Sequence, residues 1–172
     1  MKWMHGRRLI WLIGGILSAL LLVPGASAAK PYRHSDVDMP VSLAVGTVRT
    51  PEFPTVTMWY EIMLQVEKPL PFRQMQCMMG VTISPLQLKD CSSNDPLLLA
   101  DWTVWDEGHI VSKGSSRTEA DLKFVDKYIF KYLGGFAGKA GRKYVVEVKF
   151  TKDGTPLNVA NPHLIVIQHR YR

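Results

Sequence analysis

The residues TVTMWYEIMLQV, positions 55–66, set the strongest constraint on this chain. Val56, Met58, Tyr60, Ile62, Leu64 and Val66 fall on one parity, and Thr57, Trp59, Glu61, Met63 and Gln65 on the other. Only an extended strand sends successive side chains to opposite faces, so this pattern predicts a strand with one buried and one polar side. RKYVVEVKF, 142–150, repeats it with Tyr144, Val146, Val148 and Phe150 against Lys143, Glu147 and Lys149, and Asp153-Gly154 follows as a turn. Shorter candidates lie at 41–48, 78–84, 98–105, 109–112 and 163–169, with Pro, Gly and Asn clusters between them. About seven strands at this spacing predict a mainly β chain, an immunoglobulin-like antiparallel β-sandwich.

One stretch carries a different period. In RTEADLKFVDKYIFKYLGG, Leu122, Val125, Ile129 and Leu133 recur at helical spacing. Thr118 and Asp121 approximate a capping box, and Gly134-Gly135 offers a stop. The expectation is one crossover helix from about Thr118 to Leu133, before the penultimate strand. The next residues, GGFAGKAGRKY (134–144), mix four glycines with Lys139, Arg142 and Lys143. They are not a phosphate loop. Gly138-Lys139 is followed by Ala140 instead of a hydroxyl residue, and the predicted helix-before-strand order reverses the required context. The segment reads as a basic turn into a strand that opens on Tyr144. The hydroxyl of Tyr144 is then placed to act as a structural corner, bonding to nearby backbone.

The chain starts with Lys2, Arg7 and Arg8, an apolar run from Leu9 to Val23, and the small triplet Ala26-Ser27-Ala28. This is the layout of a secretory signal peptide, cleaved near Ala28, with a run shorter than the ~20 residues that span a bilayer. The expected organisation is a signal peptide over 1–28, an exposed lead-in over 29–40 and a single β-sandwich domain over 41–172. The protein is then periplasmic or secreted, and meets the membrane only through the signal segment if that is left uncleaved. Three of the six net positive charges of the chain belong to the signal, and the other basic residues are dispersed among acids, which argues against nucleic acid. The two cysteines, Cys77 and Cys91, form an even pair in an exported chain and read as one disulfide.

No motif specifies catalysis. There is no G-x-S-x-G elbow, and Ser115-Ser116 has no base placed by spacing. No metal site is expected: His163 and His169 end one strand about 20 Å apart, and Asp101, Asp106 and Glu107 lack the spacing of a calcium loop. No cofactor motif is present. What stands out is a concentration of Trp and Met in mid-chain. Trp59, Glu61, Met63, Trp102 and Trp105 are the candidate partner-binding residues, large groups on polar strand faces of the kind that anchor protein contacts.

The signal, the WYEIML strand, GRKYVVEVKF and the final HLIVI strand together resemble a family of small exported β-sandwich domains of proteobacteria. Some similar domains are periplasmic immunity proteins that neutralise secreted toxins. The resemblance implies a fold, a compartment and a binding role, and no site residues. The reading is an exported, non-enzymatic protein-binding module whose partner is another protein, in its specific form a toxin. The alternatives are an accessory domain that binds a sugar or lipid through its tryptophans, and a periplasmic hydrolase.

Overall fold

The computed structural model describes residues 35–67, 70–80, 91, 96–116, 122–125 and 127–169. The expected signal peptide lies outside them. The elements are β1 (Ser35–Pro40), β2 (Gly46–Arg49), β3 (Phe53–Pro54), β4 (Trp59–Glu67), α1 (Phe72–Met79), β5 (Ala100–Asp106), β6 (His109–Ser115), β7 (Leu122–Val125), β8 (Tyr128–Ala137), β9 (Lys143–Phe150) and β10 (His163–Gln168), with a 3-10 turn at Thr155–Ala160 before β10. They build two antiparallel sheets, the expected sandwich. The first runs β1-β10-β4-β8-β7. The second runs β2-β9-β5-β6, with β3 following β2 along the same flank of β9. Residues 31–172 form one compact unit.

The core lies between the sheets. Tyr60, Ile62, Leu64 and Val66 of β4 meet Tyr144, Val146, Val148 and Phe150 of β9, the two parities identified from sequence. Each such side chain contributes roughly 1.5–3 kcal/mol on burial. Phe53, Tyr60, Phe136 and Tyr144 form a chain of ring contacts, with Tyr60 and Phe136 stacked at 5.3 Å.

The polar parity of β4 departs from expectation. Met63 is buried with Tyr128, Phe130, Ile165 and Ile167 in a second apolar cluster. Strand register puts these on the outer face of the first sheet, where Met63 sits opposite Ile165. The central strands of this sheet are therefore buried on both faces, which erases simple alternation.

The same fact overturns the expected helix. Of the expected helix, residues 122–125 are β7 and 128–133 lie in β8, while 118–121 lie outside the described residues. Tyr128, Ile129 and Phe130 are consecutive and all buried, and a strand covered on both sides shows a run that mimics a helical stripe. Gly134 and Gly135 are inside β8 and stop nothing. A bulge near Leu133 lets β8 keep its pairing with β4. The described helix is α1 instead, between β4 and β5. Pro71 precedes it, Gly80 ends it in the left-handed conformation (φ 68°), and Met75, Met78 and Met79 are buried at helical spacing. The lead-in is corrected too: residues 35–40 are β1, paired with β10, with Val37 in the core. The candidate at 41–48 shrinks to β2, and that at 78–84 ends α1 before passing outside the described residues.

The corner expected of Tyr144 belongs to Tyr60. Tyr144 is a buried core ring in β9, whereas the Tyr60 hydroxyl accepts the Val56 backbone N–H at 2.9 Å, four residues upstream. Burial raises the Tyr60 hydroxyl above its ordinary pKa. Tyr60→Phe keeps the ring and leaves that N–H without its acceptor, so the variant should lose about 1 kcal/mol in urea unfolding. An unchanged midpoint would show that water replaces the hydroxyl.

Candidate functional site

The glycine-rich segment makes close packing possible. A Cβ on Gly134 would stand 2.1 Å from Cε2 of Trp102, and one on Gly114 would stand 2.7 Å from Cζ2 of the same indole. Trp102 is on β5 in the second sheet, Gly114 on neighbouring β6 and Gly134 on β8 in the facing sheet. The indole therefore fills the space left by two glycines, one from each layer. Trp102 is 8% exposed and is a core residue, not a contact surface. Gly135 and Gly138 likewise admit the Trp59 indole and the Tyr60 ring. Gly141 alone serves a turn (φ 76°, nothing near its Cβ).

The basic residues of that segment are held in ion pairs or backbone contacts. Arg142 Nε lies 3.2 Å from Asp106 Oδ2, and its Nη1 lies 3.1 Å from Glu107 Oε1 at the β5–β6 turn. Lys143 pairs with Glu52 at 3.0 Å, and the Lys139 carbonyl accepts the Thr55 hydroxyl. The acids considered for calcium are thus divided. Asp106 and Glu107 hold Arg142, and Asp101 at the other end of β5 accepts the Ser115 hydroxyl at 2.6 Å. Among the described residues no cluster of three or more His, Cys, Asp or Glu is placed to hold a metal ion.

The remaining candidates separate. Met63 is buried in the outer cluster of the first sheet. Glu61 is also buried there, its Oε1 2.6 Å from His169 Nδ1. His163 makes the matching contact with Asp38, also 2.6 Å, so His163 at the start of β10 and His169 just past its end each tie it to a neighbouring strand. Trp59 stays 40% exposed at the start of β4. Trp105 lies on the opposite layer. The structure brings Trp59, Glu61 and Met63 onto one sheet face, and puts Trp102 and Trp105 elsewhere.

The outer face of the second sheet has a different character. Trp105 is half-buried, with the Arg49 guanidinium 5.9 Å from its ring centroid and Ile110 opposite it on β6. Arg49 also pairs with Glu147 at 3.4 Å. Ile110 and Val111 are 52% and 50% exposed. Register adds Val145 to the apolar strip, and places Arg49, Lys113, Lys143 and Lys149 around it against Asp101, Glu147 and the Lys143 partner Glu52. The result is an aromatic and aliphatic strip in a charged frame with one more cation than acids. Sequence reasoning named Trp105 and missed Ile110, Val111 and Arg49. An exposed Ile-Val pair followed by Ser-Lys-Gly was the available signal.

Cys77 and Cys91 are bonded, as expected, and anchor α1. Reduction should cost roughly 3 kcal/mol for a loop of this size and lower the unfolding midpoint. Identical reduced and oxidised midpoints would contradict this.

No family model matches the chain, and no curated protein matches it. Among solved structures, the chain is similar to a protein from Sulfurospirillum deleyianum known from its crystal structure. The TM-score is 0.55 at 8% identity, covering 78% of this chain and 98% of that one. At that identity the similarity concerns the fold alone.

Proposed function

We propose that this protein is an exported, non-enzymatic binding module whose partner is another protein, engaged through the outer face of the second sheet. The observation that carries the reading is an apolar strip of half-buried Trp105 on β5 with exposed Ile110 and Val111 on the end strand β6, framed by more cations than acids. Aromatic and arginine anchors with an aliphatic neighbour are the composition of binding hot spots. The excess of cations suits an acidic partner surface and speeds its encounter. The ligand-binding alternative is weakened by Trp102, whose indole is enclosed between the sheets. The specific version to test first is neutralisation of a toxin delivered to the same compartment.

The test is recovery of a partner by the tagged chain from periplasm in which neighbouring gene products are expressed. Trp105→Ala should lower the affinity of that partner about tenfold or more, and Trp59→Ala, on the other layer, should leave it unchanged. Recovery of no partner, or equal loss from both variants, would reject the reading.

A further inference from the structure

We propose that the partner binds by adding an acidic extended segment to the open edge of β6, continuing the second sheet. This deepens the protein-binding reading and rests on it. β6 is the end strand of its sheet, and among the described residues nothing pairs with its far side. His109, Ile110, Val111, Lys113 and Ser115 are all exposed, which makes β6 the least covered long strand of the sandwich.

Backbone geometry says which groups are open. The Ser116 N–H donates to the Ala100 carbonyl at 2.7 Å. Antiparallel pairing alternates, so Gly114 and Ser112 direct their backbone groups toward β5, while Lys113 and Ser115 direct theirs outward. Two successive outward pairs of N–H and C=O can bind a strand, with affinity from main-chain bonds and selectivity from side chains. The face that such a strand extends carries Lys113 on β6 itself, the cation nearest the added segment, with Trp105 and Ile110 beside it; further in, Lys149 stands opposite Asp101 and Arg49 is paired with Glu147. Charge complementarity therefore selects a segment with acidic residues on that face. The bulge between Val104 and Trp105 skews the β6 edge at Ile110–Val111, which sets one end of the paired stretch.

The probe is a peptide of about six residues that alternates valine and glutamate. Titrated into the oxidised chain, it should slow exchange of the Lys113 and Ser115 amides more than other β6 amides, and added salt should weaken it. Lys113→Gln should weaken binding about threefold through charge alone. Lys113→Pro, which removes an outward N–H, should weaken it about tenfold or more. If that variant does not fold, the same peptide N-methylated on alternate amides tests the point without changing the protein, and should not bind. The inference is overturned if the lysine-for-glutamate peptide binds as well, if the N-methylated peptide binds as well, if no peptide binds, or if binding leaves both amides unprotected. A natural partner that needs Trp105 but ignores Lys113→Pro would overturn strand addition and leave the protein-binding reading standing.

Discussion

Gly134→Ala should cost about 3 kcal/mol, although it adds one methyl group. The added carbon would stand 2.1 Å from Cε2 and 2.2 Å from Nε1 of Trp102. Neither side has room to yield. Gly134 is in β8, bonded to β4 opposite Ile62, and the indole is closed on its other side by Gly114. A rigid ring caught between two sheets cannot change rotamer without opening the layer, so this is severe overpacking. The check is a double-mutant cycle. Trp102→Leu alone should cost about 3 kcal/mol through the cavity it leaves. Together with Gly134→Ala it should cost clearly less than the sum, with coupling above about 1 kcal/mol. Gly141→Ala is the control. It meets no atom within 4 Å and has only its positive φ to lose, so it should cost about 1 kcal/mol. Additive losses for Gly134 and Trp102 would show that they do not share the space.

Lys131→Ala should cost about 4 kcal/mol. Lys131 is fully buried in β8 and its ammonium donates to the Met79 carbonyl at the end of α1 and to the Leu98 carbonyl at 3.1 Å. Removal opens a cavity and leaves two buried carbonyls unpaired. Lys131→Met keeps the volume and should lose about half as much. Burial pushes the ammonium down to about 8 from its ordinary 10.5. The folded chain therefore releases this proton at lower pH than the unfolded chain. Below pH 8 both states hold it, and the group adds no pH dependence. Between pH 8 and 10.5 the unfolded state binds more, so stability should rise with pH, by up to about 3 kcal/mol from this group. The difference between the parent and Lys131→Met isolates it from other titrations. That difference should widen over pH 8–10.5, and parallel profiles would refute the assignment.

Lys131 also shows why part of this fold was hidden in the sequence. With Lys123 and Lys127 it composes the polar side of an apparent amphipathic helix, whose apolar side is Leu122, Val125, Ile129 and Leu133. The pattern assumes that a lysine faces water. Here the cation caps α1 from inside the sandwich, so the apparent helix is strands. The helix that does form was masked by Gln and Arg among its methionines and by only eight residues. The candidate site divided for the same reason. Trp105 was legible because it lies on the solvent parity of a strand whose other parity is buried, Trp102, Val104 and Asp106. Met63 has that parity too, but lies in a sheet covered on both faces.

Local sequence by itself located β4, β9, β5, β6 and β10: β9 and β5 through period two, β4 through an alternation of apolar and polar types that its burial does not follow, and β6 and β10 through short apolar runs between turn residues. The pairing of Cys77 with Cys91 followed from their number and the expected compartment. Tertiary structure alone decided that β8 is a strand, that the glycines make room for Trp102, Trp59 and Tyr60, and that Tyr60 holds the corner bond. It also decided which of the tryptophans reaches a charged outer face. Those outcomes depend on which strand lies alongside and on what lies across a 10 Å layer, as Trp102 does from Gly134, and one strand's sequence carries no record of either neighbour.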